Sequence, residues 1–285
     1  MLLRTATEKD KPALFSLWQE AFGDTAETVE TFFALCFSPE NTLVAEADGG
    51  VCAALYLLDN ALYTKEKTFQ ASYIYAAATA KAYRKQGIMR ALLQYTQDLC
   101  SRRNTDFLFL TPATEDLFTY YGKSGYFPAF AKLEYTATRN ELSAAANGAG
   151  ELQKCTDSEC GARETALQGV PHIVWQKASF QFQQYLEMTF GVQSVYTKNG
   201  FAVFETENGI CTASEFCASP QNAPALFREL LNHSTANEFR LSAPCAMELP
   251  LPNAGKIKKT GMLLPLSEAA KAVSFENSYL GITLG

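Results

Sequence analysis

The sequence contains very little that could bind a metal ion. It has two histidines in 285 residues, His172 and His233, and its eight cysteines include no C-x-x-C pair. Structural zinc sites use cysteine and histidine clusters at close spacing. We therefore expect no metal site, and we expect both histidines to be structural or exposed.

Positive charge and long apolar runs are also scarce. The formal net charge is −6, so the chain lacks the basic face that nucleic-acid binding requires. No apolar run approaches the ~20 residues that span a bilayer, and residues 1–10 carry acids and no apolar core, unlike a secretory signal. We expect no nucleic-acid or membrane partner and a cytoplasmic location. The oligomeric state stays open, a homo-oligomer included.

The composition is that of a folded protein with room for two domains. Hydrophobic residues make up 47% and charged residues 19% of the chain, which is typical of globular proteins. A length of 285 residues fits two cores better than one. Because residues 143–150 are small and turn-rich, we take them as a linker. The expected domains are 1–142 and 151–285, the second with a C-terminal tail.

A strand, a short basic loop and a helix form the most informative stretch. Residues 72–79 are predicted to be the strand and 88–103 the helix. The buried face of the helix repeats at helical spacing in Ile88, Leu92, Tyr95 and Leu99. Unpaired amides at a helix N-terminus bind phosphate, and Gly87 would let a ligand approach the backbone. The alternative is an ordinary connection with a solvated basic loop.

Two motifs in order resemble those of the GNAT N-acetyltransferase superfamily. Residues 84–89 (RKQGIM) resemble its R/Q-x-x-G-x-G/A acyl-CoA loop, with Met89 as a departure from Gly or Ala. Residues 77–79 are similar to the splayed strand that holds pantetheine. Residues 121–127 (YGKSGYF) resemble its Y-x-x-x-G-F/Y motif.

The resemblance implies the GNAT acyl-CoA N-acyltransferase fold, an α/β (α+β) architecture with a mixed central sheet flanked by helices. It implies acetyl-CoA as cosubstrate and Tyr121 as the general acid that protonates the leaving thiolate. In this family the first two helices also line the acceptor cleft. The implied cofactor-binding residues are Ala77, Ala78, Thr79, Arg84, Lys85, Gln86, Gly87, Ile88, Met89 and Arg90.

The second half repeats the first in outline. Residues 106–112 and 238–244 share length, an opening acid, a phenylalanine and a closing proline. The loop at 219–224 has no glycine or cation, and its two prolines remove amide donors. We interpret this half as a degenerate GNAT-like domain that cannot hold CoA; the alternative is an unrelated α+β domain. The arrangement resembles the enhanced-intracellular-survival type of acetyltransferase without its third, sterol-carrier-like domain.

The predicted function is an acetyl-CoA-dependent N-acetyltransferase. It would move an acetyl group directly to a primary amine of a small molecule or peptide. The alternative is a non-catalytic acyl-CoA-binding protein. The sequence does not rank the candidates for a general base, which are Glu20, Asp24, Glu46, Glu115 and the terminal carboxylate of Gly285.

Overall fold

The computed structural model describes residues 1–65, 67–148, 159–198, 200–275 and 277–284. The first half contains β1 (Leu2–Thr5), α1 (Lys11–Phe22), α2 (Ala26–Leu35), β2 (Thr42–Ala47), β3 (Gly50–Tyr63), β4 (Thr68–Thr79), α3 (Ile88–Arg102), β5 (Phe107–Leu110), α4 (Glu115–Gly122), β6 (Phe127–Thr138) and α5 (Arg139–Ala145). The second half contains α6 (Glu159–Ala166), β7 (His172–Val174), α7 (Lys177–Thr189), β8 (Gln193–Thr197), β9 (Gly200–Glu207), β10 (Ile210–Ala218), α8 (Ala223–His233), β11 (Glu238–Pro244), β12 (Lys256–Pro265) and α9 (Glu268–Lys271).

The described strands form one mixed sheet. Their order is β1-β2-β3-β4-β5-β12-β6-β11-β10-β9-β8, with β7 paired to the end of β3. The pairs β4–β5 and β10–β11 are parallel, and the other neighbours are antiparallel. Helices cover the sheet, so the predicted α/β class with a mixed central sheet is confirmed.

The halves exchange strands across the centre of the sheet. Strand β12, from the end of the chain, lies between β5 and β6. Leu263 is paired with Phe109 on β5 and with Phe127 on β6. Local sequence patterns place each strand with its own half, and they carry no signal for this crossing. The domain division stays a prediction, and residues 149–158 of the linker region lie outside the described residues.

The second half repeats the topology of the first around its parallel strand pair. Strands β3, β4 and β5 with α3 correspond to β9, β10 and β11 with α8. Both β4 and β10 carry an irregularity at the equivalent strand pairing. Pro220 lies in the loop before α8, and Pro224 lies in the first turn of that helix. The second half therefore repeats the topology of the first without the basic glycine loop.

Helix α3 packs on one face of the sheet and positions the basic loop. Its buried side chains include Ile88, Leu92, Leu93 and Cys100, which contact core residues of β2 to β5. Tyr95 and Leu99, predicted for the same face, are half-buried at its border. The hydrophobic face therefore fixes the direction in which the helix N-terminus points.

Candidate functional site

Strands β4 and β5 separate at the centre of the sheet. They are paired from Ala71 with Phe107 to Tyr73 with Phe109, whereas β4 continues to Thr79. Within these described residues, the remaining edge of β4 has no strand on the β5 side. A strand edge of this kind can pair with an extended ligand through its backbone groups.

A β-bulge lies in the separated part of β4. Ala54 is paired with Ala78 and Tyr56 with Tyr75, so two residues of β4 oppose Leu55 alone. Ala76 in the bulge has φ of 46°, an uncommon value for a residue with a side chain. Bulges bend a strand and redirect its side chains, and this one turns β4 away from β5.

The basic loop is folded against the end of β4. The Arg84 guanidinium donates from Nε to the Thr79 carbonyl at 2.9 Å. Lys85 and Gly87 have left-handed φ values of 63° and 79°, and Gly87 caps α3. The first helical bond into the loop runs from the Ala91 amide to the Gly87 carbonyl. The amides before Ala91 therefore lie at the free end of the helix dipole.

The loop borders a cavity of about 660 Å³, which we call the loop cavity. A Cβ at Gly87 would meet no atom within 4 Å, so the cavity reaches the backbone there. None of the described lining residues is acidic, and the cationic ones are Arg84, Lys85, Arg90 and Lys123. Converging amides and four cations in an acidic protein form a site suited to a phosphorylated ligand.

A second cavity of about 440 Å³ lies on the other side of the bulge, and we call it the aromatic cavity. Its aromatic lining residues are Trp18, Phe22, Tyr73, Tyr75 and Tyr121. Its acidic lining residue within the described chain is Asp24, whose Oδ2 accepts from Trp18 Nε1 at 2.7 Å. Aromatic faces and a carboxylate attract cations, so the charge preference of this cavity is opposite to that of the loop cavity.

The two cavities meet at Tyr121. Ala77, Leu117 and Tyr121 line both of them. Burial, with a smaller contribution from Tyr120, raises the pKa of Tyr121 to about 12, so its hydroxyl is protonated at neutral pH. No described residue accepts a hydrogen bond from this hydroxyl, which leaves it available to a ligand.

The structure brings most of the predicted cofactor residues together. Eight of the ten line the loop cavity, namely Ala77, Thr79, Arg84, Lys85, Gly87, Ile88, Met89 and Arg90. Ala78 is buried on the opposite face of β4, because successive strand residues alternate. The Gln86 side chain donates back to the Ala82 carbonyl at 3.2 Å, outside the lining.

Among the candidate bases, Asp24 is the one that lines the aromatic cavity within the described residues. Glu20 accepts from the Lys81 amide, and Glu46 is bound by Arg4. Glu115 lies exposed in the first turn of α4. Gly285 lies outside the described residues.

Several lining residues were not predicted from the sequence. In the loop cavity they include Leu117 and Tyr120, which lie with Tyr121 at helical spacing on α4, and Ser124, which follows that helix. That spacing was a usable signal. In the aromatic cavity, Thr283 and Leu284 belong to no motif, and their placement depends on tertiary structure. The first helix contributes Trp18 and Phe22, whereas no described α2 residue lines this cavity.

Comparisons with known proteins agree with this geometry. Residues 3–129 match the family described as an acetyltransferase (GNAT) domain. No curated protein sequence matches the chain. Among the described residues, no helix combines the length and apolar character needed to cross a membrane.

Solved structures share the fold over nearly the whole chain. A GCN5-related N-acetyltransferase from Anabaena variabilis superposes with TM-score 0.78 at 17% identity, covering 96% of this chain and 74% of that one. One from Kribbella flavida gives 0.74 at 16%, covering 96% and 73%. Eis1 from Mycobacterium abscessus gives 0.74 at 13%, covering 94% and 74%. At these identities the likeness shows the fold alone.

Proposed function

We propose that this protein is an acetyl-CoA-dependent N-acetyltransferase, because residues 3–129 match the acetyltransferase (GNAT) domain family. The acceptor is a primary amine of a small molecule or peptide, acetylated by direct transfer. One observation carries the proposal: a cation-lined cavity at a helix N-terminus and an aromatic cavity with one carboxylate meet at the Tyr121 side chain.

The loop cavity would hold the cofactor. The amides of residues 85–90, with the side chains of Arg84 and Lys85, would bind its diphosphate. The separated edge of β4 would align the pantetheine arm by strand-like pairing. Bound acetyl-CoA supplies a thioester whose carbonyl carbon accepts a nucleophile. A β4 backbone amide is the simplest donor to the oxygen of that carbonyl.

The aromatic cavity would hold the acceptor. Trp18, Phe22 and Tyr75 line this cavity, and the face of an aromatic ring attracts an alkylammonium group. Asp24, held by the Trp18 indole, supplies the opposite charge. Two amino groups in one acceptor would suit this arrangement, since one binds while the other reacts.

Tyr121 would act at the junction. The reacting amine loses its proton to solvent, its lone pair forms the C–N bond, and the C–S bond breaks. The Tyr121 hydroxyl donates a hydrogen bond to the sulfur as negative charge develops there. Full transfer from a group of pKa about 12 to a thiolate of pKa about 8.5 is uphill. The nitrogen therefore gives its second proton to the Tyr121 oxygen as the Tyr121 proton passes to the sulfur, and Tyr121 ends protonated. Side-by-side binding supplies a further part of the acceleration.

The test compares two neighbouring tyrosines. We expect Tyr121→Phe to lower turnover by about 10²-fold with little change in acetyl-CoA affinity. Tyr120→Phe is the matched control, because Tyr120 lines the same cavity but not the aromatic one. The assay is free-thiol release from acetyl-CoA with spermidine, an aminoglycoside and a lysine-containing peptide.

Two results would contradict the proposal. Equal rates in wild type and Tyr121→Phe would remove Tyr121 from the reaction. Tight acetyl-CoA binding without turnover on any amine would favour the alternative, a non-catalytic acyl-CoA-binding protein.

A further inference from the structure

A buried ion pair in the second half has no part in the chemistry described above. Arg163 on α6 is 1% exposed and Glu215 on β10 is 4% exposed. Arg163 Nη1 donates to Glu215 Oε2 at 2.5 Å, and the other carboxylate oxygen accepts from the Tyr279 hydroxyl at 2.9 Å. A buried ion pair needs further hydrogen bonds to its remaining polar atoms. Here Glu215 receives one of them from Tyr279, which belongs to the C-terminal segment.

That segment, residues 277–284, is called the tail here, and it packs directly on the ion pair. Gly281 has φ of 71°. A Cβ at this position would overlap Arg163 Nη2 and Glu215 Oε1. Only glycine satisfies both the backbone conformation and the close approach. The ion pair therefore sets the position of the tail at residue 281.

Two and three residues further on, at Thr283 and Leu284, the tail forms part of the aromatic cavity. The Thr283 carbonyl accepts from the Tyr73 hydroxyl at 3.1 Å, and the Leu284 carbonyl accepts from the Tyr75 hydroxyl at 2.7 Å. Thr283 and Leu284 line the cavity together with Asp24 and Tyr121. The tail is therefore one wall of the site proposed for the acceptor.

A further cavity lies behind the tail, so the contacts that fix the tail also determine the position of this wall. A cavity of about 360 Å³ between α7, β9 and β10 is bordered by Gly281, Ile282 and Thr283. The tail thus separates two cavities, although its side chains at Leu280, Ile282 and Leu284 are buried in the core. Besides this packing, polar contacts fix its position: the Tyr279 hydroxyl donates to Glu215, and the Leu280 carbonyl accepts from Trp175 Nε1 at 3.1 Å.

We propose that the second half of the chain builds the acceptor-side wall, and that Arg163 and Glu215 are its positioning residues. The inference rests on the proposed function, because it assigns the aromatic cavity to the acceptor. It gives the GNAT-like unit without a basic glycine loop a definite role. That unit holds the tail against Tyr73 and Tyr75, and the loop cavity lies outside its influence.

The principal variant is Gly281→Ala, and its matched control is Gly209→Ala. Gly209 has a similar φ of 78° with no atom within 4 Å of a Cβ, and it lies in the β9–β10 turn. Tyr279→Phe is a milder second variant, which removes one hydrogen bond to Glu215 and keeps the ring. Glu215→Gln removes the charge and keeps an acceptor for Tyr279.

The experiment combines steady-state kinetics with hydrogen exchange of the full chain. For Gly281→Ala we expect the KM for the amine acceptor to rise at least tenfold while the KM for acetyl-CoA stays unchanged. Amide exchange should rise in residues 279–284 but not in residues 84–90. Tyr279→Phe should show the same split at about threefold or more, and Gly209→Ala should match wild type.

Each other outcome decides between the claims. Faster exchange in the tail with an unchanged acceptor KM overturns the positioning role and leaves the proposed function intact. An equal rise in both KM values also overturns it, since that would be a general structural effect. If wild type acetylates no amine, the proposed function fails. Spermidine binding by calorimetry then decides the inference: weaker binding to Gly281→Ala supports it, and equal or absent binding overturns it.

Discussion

Replacing Gly87 by alanine tests the phosphate-binding role of the loop without changing its charge. Gly87 has φ of 79°, and a Cβ there would point into the open loop cavity. A left-handed conformation costs a residue with a side chain about 1–2 kcal/mol. The same cost applies to Gly209→Ala, whose φ is 78° and whose site is remote. Both variants should therefore lose similar stability, a few degrees in Tm.

The variants should differ in CoA affinity. The added methyl group lies where the amides of Ile88 and Met89 converge, so a diphosphate must move away from them. A hydrogen bond to a charged group contributes about 1.5–3 kcal/mol, which corresponds to about 10- to 150-fold in Kd. We expect a loss in this range for Gly87→Ala and none for Gly209→Ala.

Calorimetric titration measures this difference, with pantetheine as a ligand control. Pantetheine lacks the diphosphate, so its affinity should be equal in wild type and Gly87→Ala. Equal CoA affinity in the two glycine variants would refute the loop assignment. A parallel loss for CoA and pantetheine would show that the methyl group deforms β4 instead.

Two further predictions concern pH and stability. Burial raises the pKa of Tyr121 to about 12, so its hydroxyl stays protonated below that pH. The value of kcat/KM should therefore rise as the amine loses its proton and should not fall again up to pH ~10.5. A fall in kcat/KM below pH 10 that Tyr121→Phe abolishes would contradict this. Leu263 on β12 is fully buried where this strand pairs with β5 and β6. Leu263→Ala should therefore lower the free energy of unfolding by about 2–5 kcal/mol, in a single denaturant transition. Ile257 lies on the same strand but is 64% exposed, so Ile257→Ala should change that free energy by less than about 0.5 kcal/mol. Two separated transitions, with only one shifted by Leu263→Ala, would show that the halves unfold independently.

Local chemistry accounts for the parts of the fold that the sequence predicts. The predicted strand at 72–79 and the periodic face of α3 are determined by neighbours along the chain, and the structure confirms them. The resemblance of residues 121–127 to the family motif pointed to Tyr121, and the structure places Tyr121 at the junction of both cavities. Its catalytic role stays a prediction.

The remaining features depend on contacts between distant residues. The bulge at Ala76 arises from the register of β3 against β4, and no alanine pattern encodes it. The pairing of β12 joins residues more than 150 positions apart. Asp24 could be named among five acids, but its selection needs the fold that brings it to the aromatic cavity. The tail carbonyls of Thr283 and Leu284 are backbone groups, which any sequence would supply.

The position of β12 has a consequence for biosynthesis. On the ribosome, β5 and β6 emerge well before the strand that separates them in the finished sheet. At about 5–20 residues per second, the roughly 120 residues between the end of β6 and the start of β12 take about 6–24 s to be made. During that interval the nascent chain presents two apolar, unpaired strand edges, which are templates for association with other chains. Chaperones that cover these edges, or slower synthesis of the neighbouring chains with which the edges could associate, would therefore raise the yield of native protein.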